Sequence, residues 1–358
     1  MDKQEHLKMI EELSNANGPS GFEHEVVEVV KKYLPTKTTA MSDAMCNTII
    51  RYQNKAQGNQ PTLLLDAHLD AVGFIVQAVK PNGTIKFVPL GGWVPANVTA
   101  EKVRIKNRAG QWITGVVATK PPHFMTAEER QQPITFENLV IDVGSISAVE
   151  TTEKLQIDTG CPIVPDVQWQ YFADRDLMLG KAFDNRIGTA AVLAVIDELK
   201  DEQLAVDLVG ALAAQEEVGC RGVKVTVRQI KPQIAICVEG CPADDTFTPA
   251  WLSQTGFKRG PMLRDMDTSF IATPKFQAFA VQQAESLGIP FTRAVRTGGG
   301  IDGSELLYYQ GIPTICVGIP VRYEHTHYGM VAYQDFIKTV KLLKQIILKL
   351  DAATIAEF

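Results

Sequence analysis

The sequence has few of the features that mark nucleic-acid-binding, membrane or secreted proteins. It has no run of five or more basic residues, and its 358 residues carry a net charge of -6 with a pI near 5.6. We therefore expect neither nucleic acid nor an anionic membrane as a partner. No apolar run approaches the length of a membrane span, and residues 1–6 are too polar for a signal peptide. These absences predict a cytoplasmic protein.

Several catalytic and metal motifs are also missing. The six cysteines, at positions 46, 161, 220, 237, 241 and 316, form no C-x-x-C pair, so neither a zinc ribbon nor a dithiol redox site is predicted. Buried free thiols are the expected alternative. The chain has no G-x-S-x-G turn for a nucleophilic serine and no G-x-x-x-x-G-K loop for phosphates.

The most informative stretch that is present joins a buried strand to two adjacent carboxylates. An apolar strand predicted at 206–214 runs directly into Glu216 and Glu217. Acid pairs are common, and two others, Glu11–Glu12 and Glu128–Glu129, lie in polar, helix-like surroundings and are interpreted as solvated. Charges at the end of a fully apolar strand lie at the carboxyl edge of a sheet, where open α/β folds place their sites. One carboxylate can then bind a metal while the other moves a proton.

The periodicity of the remaining chain predicts an α/β fold with a mainly parallel or mixed sheet. Helical patterns cover 2–16, 26–34, 187–199 and 334–350, and short apolar strands cover 62–67, 206–214, 234–238 and 314–319. Between them, 73–167 contains short strands separated by turn residues, which is typical of a small β-barrel or sandwich. We predict a first catalytic segment at 1–72, an inserted β domain at 73–167 and a second catalytic segment at 168–358.

Residues of metal-ligand type follow the predicted strands or begin the helix after one of them: His68, Asp184, Glu217, Glu239 and His325. They are expected to meet at one sheet edge. Imidazoles mixed with carboxylates suit zinc, cobalt or manganese better than calcium. Five ligands exceed the need of one catalytic zinc with an open position, but they fit two metals that share one carboxylate.

Each of these residues has an ordinary explanation when it is taken alone. A histidine after a strand is usually structural or exposed, Asp184 is suited to cap a helix, and Glu239 before Gly240 is compatible with a turn. Asp70 is either solvated or orients the imidazole of His68. Their joint occurrence at successive strand ends favours the metal site over these separate explanations.

The other histidines carry less weight. His6, His24 and His123 occur in polar or loop contexts and are predicted to lie on the surface. His327 is an open alternative to His325, since the segment His325-Thr326-His327 places both imidazoles on one side of an extended chain.

Several motifs, in order along the chain, resemble those of the dinuclear metal aminopeptidases that assemble as tetrahedral dodecamers, the group that includes the lactic-acid-bacterial glutamyl aminopeptidases. The matching stretches are 17–23 (NGPSGFE), 66–73 (DAHLDAVG), 115–123, 141–144 (IDVG), 180–186 (GKAFDNR), 214–219 (AQEEVG), 298–302 (GGGID) and 322–326 (RYEHT). Any one of them is weak, whereas the ordered set covers most of the chain.

The resemblance implies a zinc-aminopeptidase-type catalytic domain of mixed sheet with an inserted β-barrel. It further implies that Asp184 bridges two divalent metal ions, that His68 and Glu239 complete one site, and that Glu217 and His325 complete the other. Zinc or cobalt is expected, with manganese as an alternative. The Arg-Tyr-x-His pattern of the family selects His325 over His327. Many members carry Asp where Glu239 stands.

By the same resemblance Glu216 is the general base, Asp70 orients His68, and the reaction is hydrolysis of the N-terminal residue from peptides with a free N-terminus. A homo-oligomer, specifically a dodecamer, is implied as well. In this family the stretch 256–264 approaches the substrate, so that Lys258, Arg259 and Arg264 favour acidic N-terminal residues. A solvated loop is the alternative explanation of these three cations.

Two other functions are compatible with the sequence. Di-zinc deacylases of N-acyl amino acids share the catalytic fold, although the inserted segment favours the aminopeptidase. A metal-stabilised assembly protein without activity is the second alternative, which the presence of both Glu216 and Asp70 disfavours. A glycosidase needs two carboxylates and no metal, so the five candidate ligands argue against it.

Overall fold

The computed structural model describes residues 1–52 and 60–358. The helices in this part of the chain are α1 Lys3–Asn15, α2 His24–Lys32, α3 Phe183–Glu198, α4 Val223–Ile230, α5 Pro274–Ser286, α6 Gly303–Tyr308, α7 Tyr333–Lys349 and α8 Ala352–Ala356. Short 3-10 turns occur at Pro95–Asn97, Pro122–Phe124, Glu129–Gln131 and Phe136–Asn138, and Glu150–Lys154 forms a π-helical turn.

The strands form one large sheet, one barrel and one small sheet. In chain order they are β1 Thr38–Ser42, β2 Thr48–Tyr52, β3 Thr62–His68, β4 Gly73–Val79, β5 Ile85–Leu90, β6 Lys102–Lys106, β7 Trp112–Ala118, β8 Val140–Asp142, β9 Pro162–Pro165, β10 Gln170–Phe172, β11 Leu177–Gly180, β12 Asp207–Ala213, β13 Ile234–Pro242, β14 Met262–Met266, β15 Thr292–Val295, β16 Thr314–Val321 and β17 Gly329–Ala332.

The large sheet is mixed and has a parallel centre. Its strand order is β1-β2-β12-β3-β13-β16-β14-β15. The four central strands run parallel, with β12 and β13 paired to β3 and β16 paired to β13, whereas β2 and β14 flank them in the antiparallel sense. Parallel strands end at the same edge of a sheet. The predicted mixed α/β fold is confirmed, and the ends of these four strands form the edge that carries the site.

Helices shield the central strands from water. Nearly every residue of β3, β12, β13 and β16 is buried on both faces, which parallel strands require. Helix α3 packs against β3, β13 and β16 and against α1 and α7, while α4 and α6 pack together and contact β12 and β13 respectively. No helix in the part of the chain described here is long and apolar enough to cross a membrane.

The inserted region forms a closed barrel, as predicted. Strands β4 to β9 close in the order β4-β5-β8-β7-β6-β9. Their inward side chains form a separate apolar core around Phe74, Phe87 and Ile105, which follows from the alternation of buried and exposed positions along each strand. The exact boundaries at residues 72 and 167 stay a prediction.

Two strands are longer than the sequence suggested, and this changes the surroundings of Glu239. The pattern predicted a strand end at residue 238, but β13 and β16 stay paired from Ala235 and Thr314 onward to Pro242 and Val321. Glu239 therefore lies inside a buried strand, and the explanation of Glu239–Gly240 as a turn is wrong.

Gly240 is needed where it lies because another backbone segment crosses it. A Cβ atom at this position would lie 2.8 Å from the carbonyl oxygen of Phe183 and 3.2 Å from the Cα of Asp184. Both neighbours are main-chain atoms, which cannot rotate away as the end of a long side chain does. The glycine thus sets how closely the start of α3 approaches β13.

We predict that Gly240→Ala lowers the free energy of unfolding by about 1–3 kcal/mol, because overpacking a filled interior forces backbone shifts. Thermal unfolding of the variant measures this effect. Gly298→Ala is the matched control, since a Cβ there meets no atom within 4 Å and should change the midpoint little. A Gly240→Ala protein as stable as the control would contradict the close approach of the two segments.

Candidate active site

Asp184 lies at the centre of the candidate site and faces two histidines. Its Oδ1 lies 3.1 Å from Nε2 of His68, and its Oδ2 lies 3.3 Å from Nε2 of His325. Asp184 has non-helical backbone angles at the start of α3, and its side chain caps no backbone N–H. The N-cap explanation is therefore wrong, and the carboxylate is free to serve both imidazoles.

The five candidate ligands form two clusters that share Asp184. In the first cluster, ligand atoms of His68, Asp184 and Glu239 lie within 4.8 Å of one another; in the second, those of Asp184, Glu217 and His325 do. Glu239 Oε2 is 3.7 Å from His68 Nε2, and Glu217 Oε2 is 3.2 Å from His325 Nε2. The strands β3, β12, β13 and β16 bring the other four residues to one edge of the sheet, and the start of α3 brings Asp184 there.

The two clusters contain more acidic than basic groups, and the side chains of His68, Glu217 and Glu239 are almost completely buried. Burial raises the pKa of the Glu239 carboxyl well above its usual range, and the carboxylates of Glu216 and Asp184 raise it further. Burial and the nearby Asp184 also raise the pKa of Glu217. Burial alone would raise the pKa of Asp184 too, but hydrogen bonds from His325 and His68 hold it well below its usual range.

These residues fit two divalent cations. Glu217 Oε1 is buried and has no hydrogen-bond partner among the described residues, and an unpaired buried oxygen of this kind is costly unless a cation neutralises it. Two imidazoles and three carboxylates form a donor set that suits zinc, cobalt or manganese. Asp184 is the one residue common to both clusters, so it is the candidate bridge.

Glu216 lies beside the clusters and belongs to neither. Its side chain is 12% exposed, and its Oε2 is 3.8 Å from Nε2 of His68. Burial raises the pKa of Glu216 well above its usual range against the opposing effect of His68, and Asp302 and Glu217 raise it further. A carboxylate with a raised pKa at the rim of a metal cluster is suited to accept and return a proton.

Asp70 is fully buried and fixes the positions of His68, Glu216 and Glu217 relative to one another. Its backbone oxygen lies 3.0 Å from Nδ1 of His68, its Oδ1 accepts the backbone N–H of Glu216 at 2.9 Å, and its Oδ2 accepts that of Glu217 at 3.2 Å. Sequence reasoning assigned Asp70 only to His68. The structure adds the two amides, and it adds Ser20, whose hydroxyl donates to Asp70 Oδ2 at 2.7 Å.

Arg186 is a supporting residue to which sequence reasoning gave no role. It is buried, and its guanidinium donates to the backbone oxygens of Leu69, Leu13 and Gly18 at 2.5, 2.7 and 3.0 Å. These bonds join α3 to the segment after β3 and to the N-terminal region. Its place in the motif 180–186 was the only signal in the sequence.

Several non-glycine residues next to the site adopt left-handed backbone angles. The φ angles are 58° at Ala182, 57° at Gln215, 63° at Tyr323 and 55° at His325. Such conformations cost of order 1–3 kcal/mol each and cluster at functional sites, where the surrounding structure enforces them. Nothing in the residue types predicts them.

Of the two histidines left open after β16, the structure brings only His325 into a cluster. His327 is buried and packs against Trp93 with ring centroids 5.6 Å apart, and burial lowers its pKa to about 4. His24 and His123 are exposed, as predicted. The prediction for His6 is wrong: it is 1% exposed, and its Nδ1 lies 3.0 Å from the hydroxyl of Tyr333.

The three cations of the 256–264 stretch differ in their surroundings. Lys258 and Arg259 are exposed. Arg264 is 5% exposed and pairs with Asp267, at 2.9 Å between its NH1 and the Oδ2 of the aspartate. Only the first two therefore keep a cationic group exposed to solvent.

Known proteins are similar to this chain in sequence and in fold over nearly its whole length. The model of the M42 glutamyl aminopeptidase family matches residues 47–342. The glutamyl aminopeptidase of Lactococcus lactis is 29% identical, and the lysyl aminopeptidase of Pyrococcus furiosus is 26% identical. The first alignment covers 97% of each protein, and the second covers 95% of this chain and 96% of the relative.

Among solved structures, a TET aminopeptidase from a marine sediment archaeon of the Thaumarchaeota superposes with a TM-score of 0.93 at 30% identity. The superposition covers 99% of both chains. The match to the family model spans well over half of the sequence. The chain therefore belongs to the M42 glutamyl aminopeptidase family.

Proposed function

We propose that this chain is a dinuclear metal-dependent aminopeptidase that removes the N-terminal residue of peptides. The single observation that carries the proposal is the shared Asp184, whose two oxygens face two separate ligand clusters. A proton-accepting carboxylate, Glu216, lies next to these clusters without belonging to either of them. Membership of an aminopeptidase family supports the peptide bond as the target.

In this proposal His68, Glu239 and Asp184 hold one divalent cation, and Glu217, His325 and Asp184 hold the other. Zinc or cobalt, or alternatively manganese, would polarise the scissile carbonyl and increase the acidity of the attacking water. The residues of the chain then perform the proton transfers and the positioning.

Glu216 takes the proton of the attacking water and returns it to the leaving amine. Its carboxylate has to point at the reacting atoms during both transfers. Asp70 keeps it there by fixing the backbone amides of Glu216 and Glu217, while Ser20 fixes Asp70. We therefore assign Glu216 as the catalytic base and Asp70 as a positioning residue.

The preferred N-terminal residue is proposed to be acidic, because Lys258 and Arg259 keep exposed cationic groups in the stretch 256–264. An exposed cation attracts a carboxylate side chain and attracts it less at high salt. Names of relatives do not decide the question, since one matching protein is a glutamyl and another a lysyl aminopeptidase.

The oligomer is proposed to be a homododecamer, because the ordered motifs of the sequence resemble those of the aminopeptidases that assemble as tetrahedral dodecamers. An association of subunits would bury large apolar side chains that are strongly exposed in the single chain: Phe124, Ile146, Phe247 and Trp251. A cytoplasmic location stays a prediction.

We predict that Glu216→Gln lowers kcat at least about 100-fold, because the amide cannot accept the proton, while metal content stays at the wild-type value. Asp184→Ala should lose metal as well as activity, since both clusters share Asp184. Glu128→Gln, at an exposed position, is the control and should behave as wild type. Activity assays together with elemental analysis give both quantities. An active Glu216→Gln protein would remove the role assigned to this residue.

We predict that chelator-treated protein regains cleavage of aminoacyl-p-nitroanilides on addition of zinc, cobalt or manganese, and that a glutamyl substrate is cleaved best. The double variant Lys258→Ala/Arg259→Ala should raise KM for the glutamyl substrate and leave KM for a leucyl substrate unchanged. Hydrolysis of N-acetylated amino acids without cleavage of any p-nitroanilide would favour the deacylase. Equal KM changes for both substrates would contradict the acidic preference.

We predict that light scattering on the purified protein gives a mass of twelve times the 39.3 kDa of one chain. The physical reason is the exposed apolar surface, which association would bury. Dilution at low and high salt separates specific assembly from charge-driven association. A mass equal to that of one chain under all conditions would rule out the dodecamer.

A further inference from the structure

Cys220 differs from the other cysteines of the chain. The remaining five are buried, whereas Cys220 is partly exposed. It lies in the loop after Glu216 and Glu217, and its thiol donates to Glu216 Oε1 at 3.4 Å. The Cys220 thiol therefore contacts the carboxylate of Glu216, which is proposed to move the proton. It contacts Oε1, whereas Oε2 is the oxygen that lies near His68.

Asp302 joins this pair from a different part of the chain. It immediately precedes α6 and is fully buried. Both of its carboxylate oxygens lack a hydrogen-bond donor of normal geometry among the described residues, although the Cys220 thiol is a close polar neighbour. A buried carboxylate without a donor is costly unless a proton or a cation neutralises it.

The three side chains have the spacing of a ligand set. Ligand atoms of Glu216, Cys220 and Asp302 all lie within 4.8 Å of one another. Asp66, also fully buried and without hydrogen-bond partners for its two oxygens, lies near enough to Asp302 to repel it electrostatically. The region thus combines a soft sulfur with an excess of negative charge, and both favour a cation.

We propose that Glu216, Cys220 and Asp302 form a third metal site for a thiophilic divalent cation such as zinc or cadmium, and that its occupation inhibits the enzyme. A sulfur ligand selects these ions over magnesium and calcium, which prefer oxygen alone. On binding, the S–H bond of Cys220 breaks, a metal–sulfur bond forms and the proton passes to solvent. The carboxylate of Glu216 then coordinates the ion and no longer accepts the proton of the attacking water.

The existence of this site does not depend on the reaction, and only the inhibition depends on the proposed function. Cys220 and Glu216 are both partly exposed, so an ion reaches two of the ligands from solvent. Asp302 closes the site from the buried side. Excess metal would thus act next to the two clusters without replacing either of their ions.

Titration of the two-metal protein with cadmium tests the site directly, because thiolate-to-cadmium charge transfer absorbs in the ultraviolet. We expect a band that saturates with one additional equivalent of cadmium per chain. Cys220→Ala should lose the band and the additional equivalent. Cys161→Ala removes a buried thiol in the barrel and should retain both. Absence of the band in wild type, or its persistence in Cys220→Ala, would overturn the proposal.

Asp302→Asn provides a second test that keeps the thiol. The side chain keeps its size but loses its charge, so we expect the cadmium concentration at half saturation of the band to rise at least tenfold. An unchanged midpoint would remove Asp302 from the site and overturn the three-ligand assignment.

The inhibition is tested by adding zinc beyond two equivalents to the active enzyme. We expect the inhibitory midpoint of Cys220→Ser, expressed relative to its own activity without excess zinc, to lie at least tenfold above that of wild type. Equal midpoints would overturn the inhibitory role. A protein without any peptidase activity would refute the proposed function, and the cadmium titration would still decide the existence of the site.

Discussion

The carboxylate of Asp184, shared between His68 and His325, is the interaction on which the candidate site depends. One oxygen faces the imidazole at the end of β3, and the other faces the imidazole that follows β16. These strands are neighbours of β13 on opposite sides in the large sheet. A single side chain at the start of α3 therefore lies between candidate ligands from separate parts of the sequence. Its carboxylate can face both imidazoles only if the start of α3 is held in place.

The chain holds that helix start with backbone contacts and buried hydrogen bonds. Gly240 has no side chain, and this lets the backbone at Phe183 and Asp184 lie against β13. Arg186, one turn into α3, donates to four backbone oxygens from two other segments. Burying an arginine is expensive, and burial lowers its pKa to about 10. The hydrogen bonds to backbone carbonyls offset part of this cost. Arg186 thereby fixes the start of α3 against the N-terminal region and the segment after β3.

The sequence alone supported the α/β class, the inserted barrel and the residues that meet at the sheet edge, because apolar strands followed by polar groups are visible as a linear pattern. It missed features that arise from pairing between distant strands. The extension of β13 past Glu239 comes from its register with β16, and the burial of His6 comes from contacts with Tyr333 and Phe336. The register of β13 is not visible in a local pattern, whereas the spacing of His6, Ile10 and Leu13 already places His6 on the buried face of α1.

Further buried acidic groups lie next to the candidate metal clusters and add to their negative charge. Asp66, Asp302 and Glu216 add three acidic groups next to the ligand set, and burial raises the pKa of each of them. Hydrophobic residues at Asp66 and Asp302 would pack there without this cost. The negative charge of these carboxylates favours a cation or a proton wherever a carboxylate oxygen lacks a partner. The same field that would hold two metal ions at Asp184 would therefore also draw a cation toward Cys220, the one partly exposed thiol of the six.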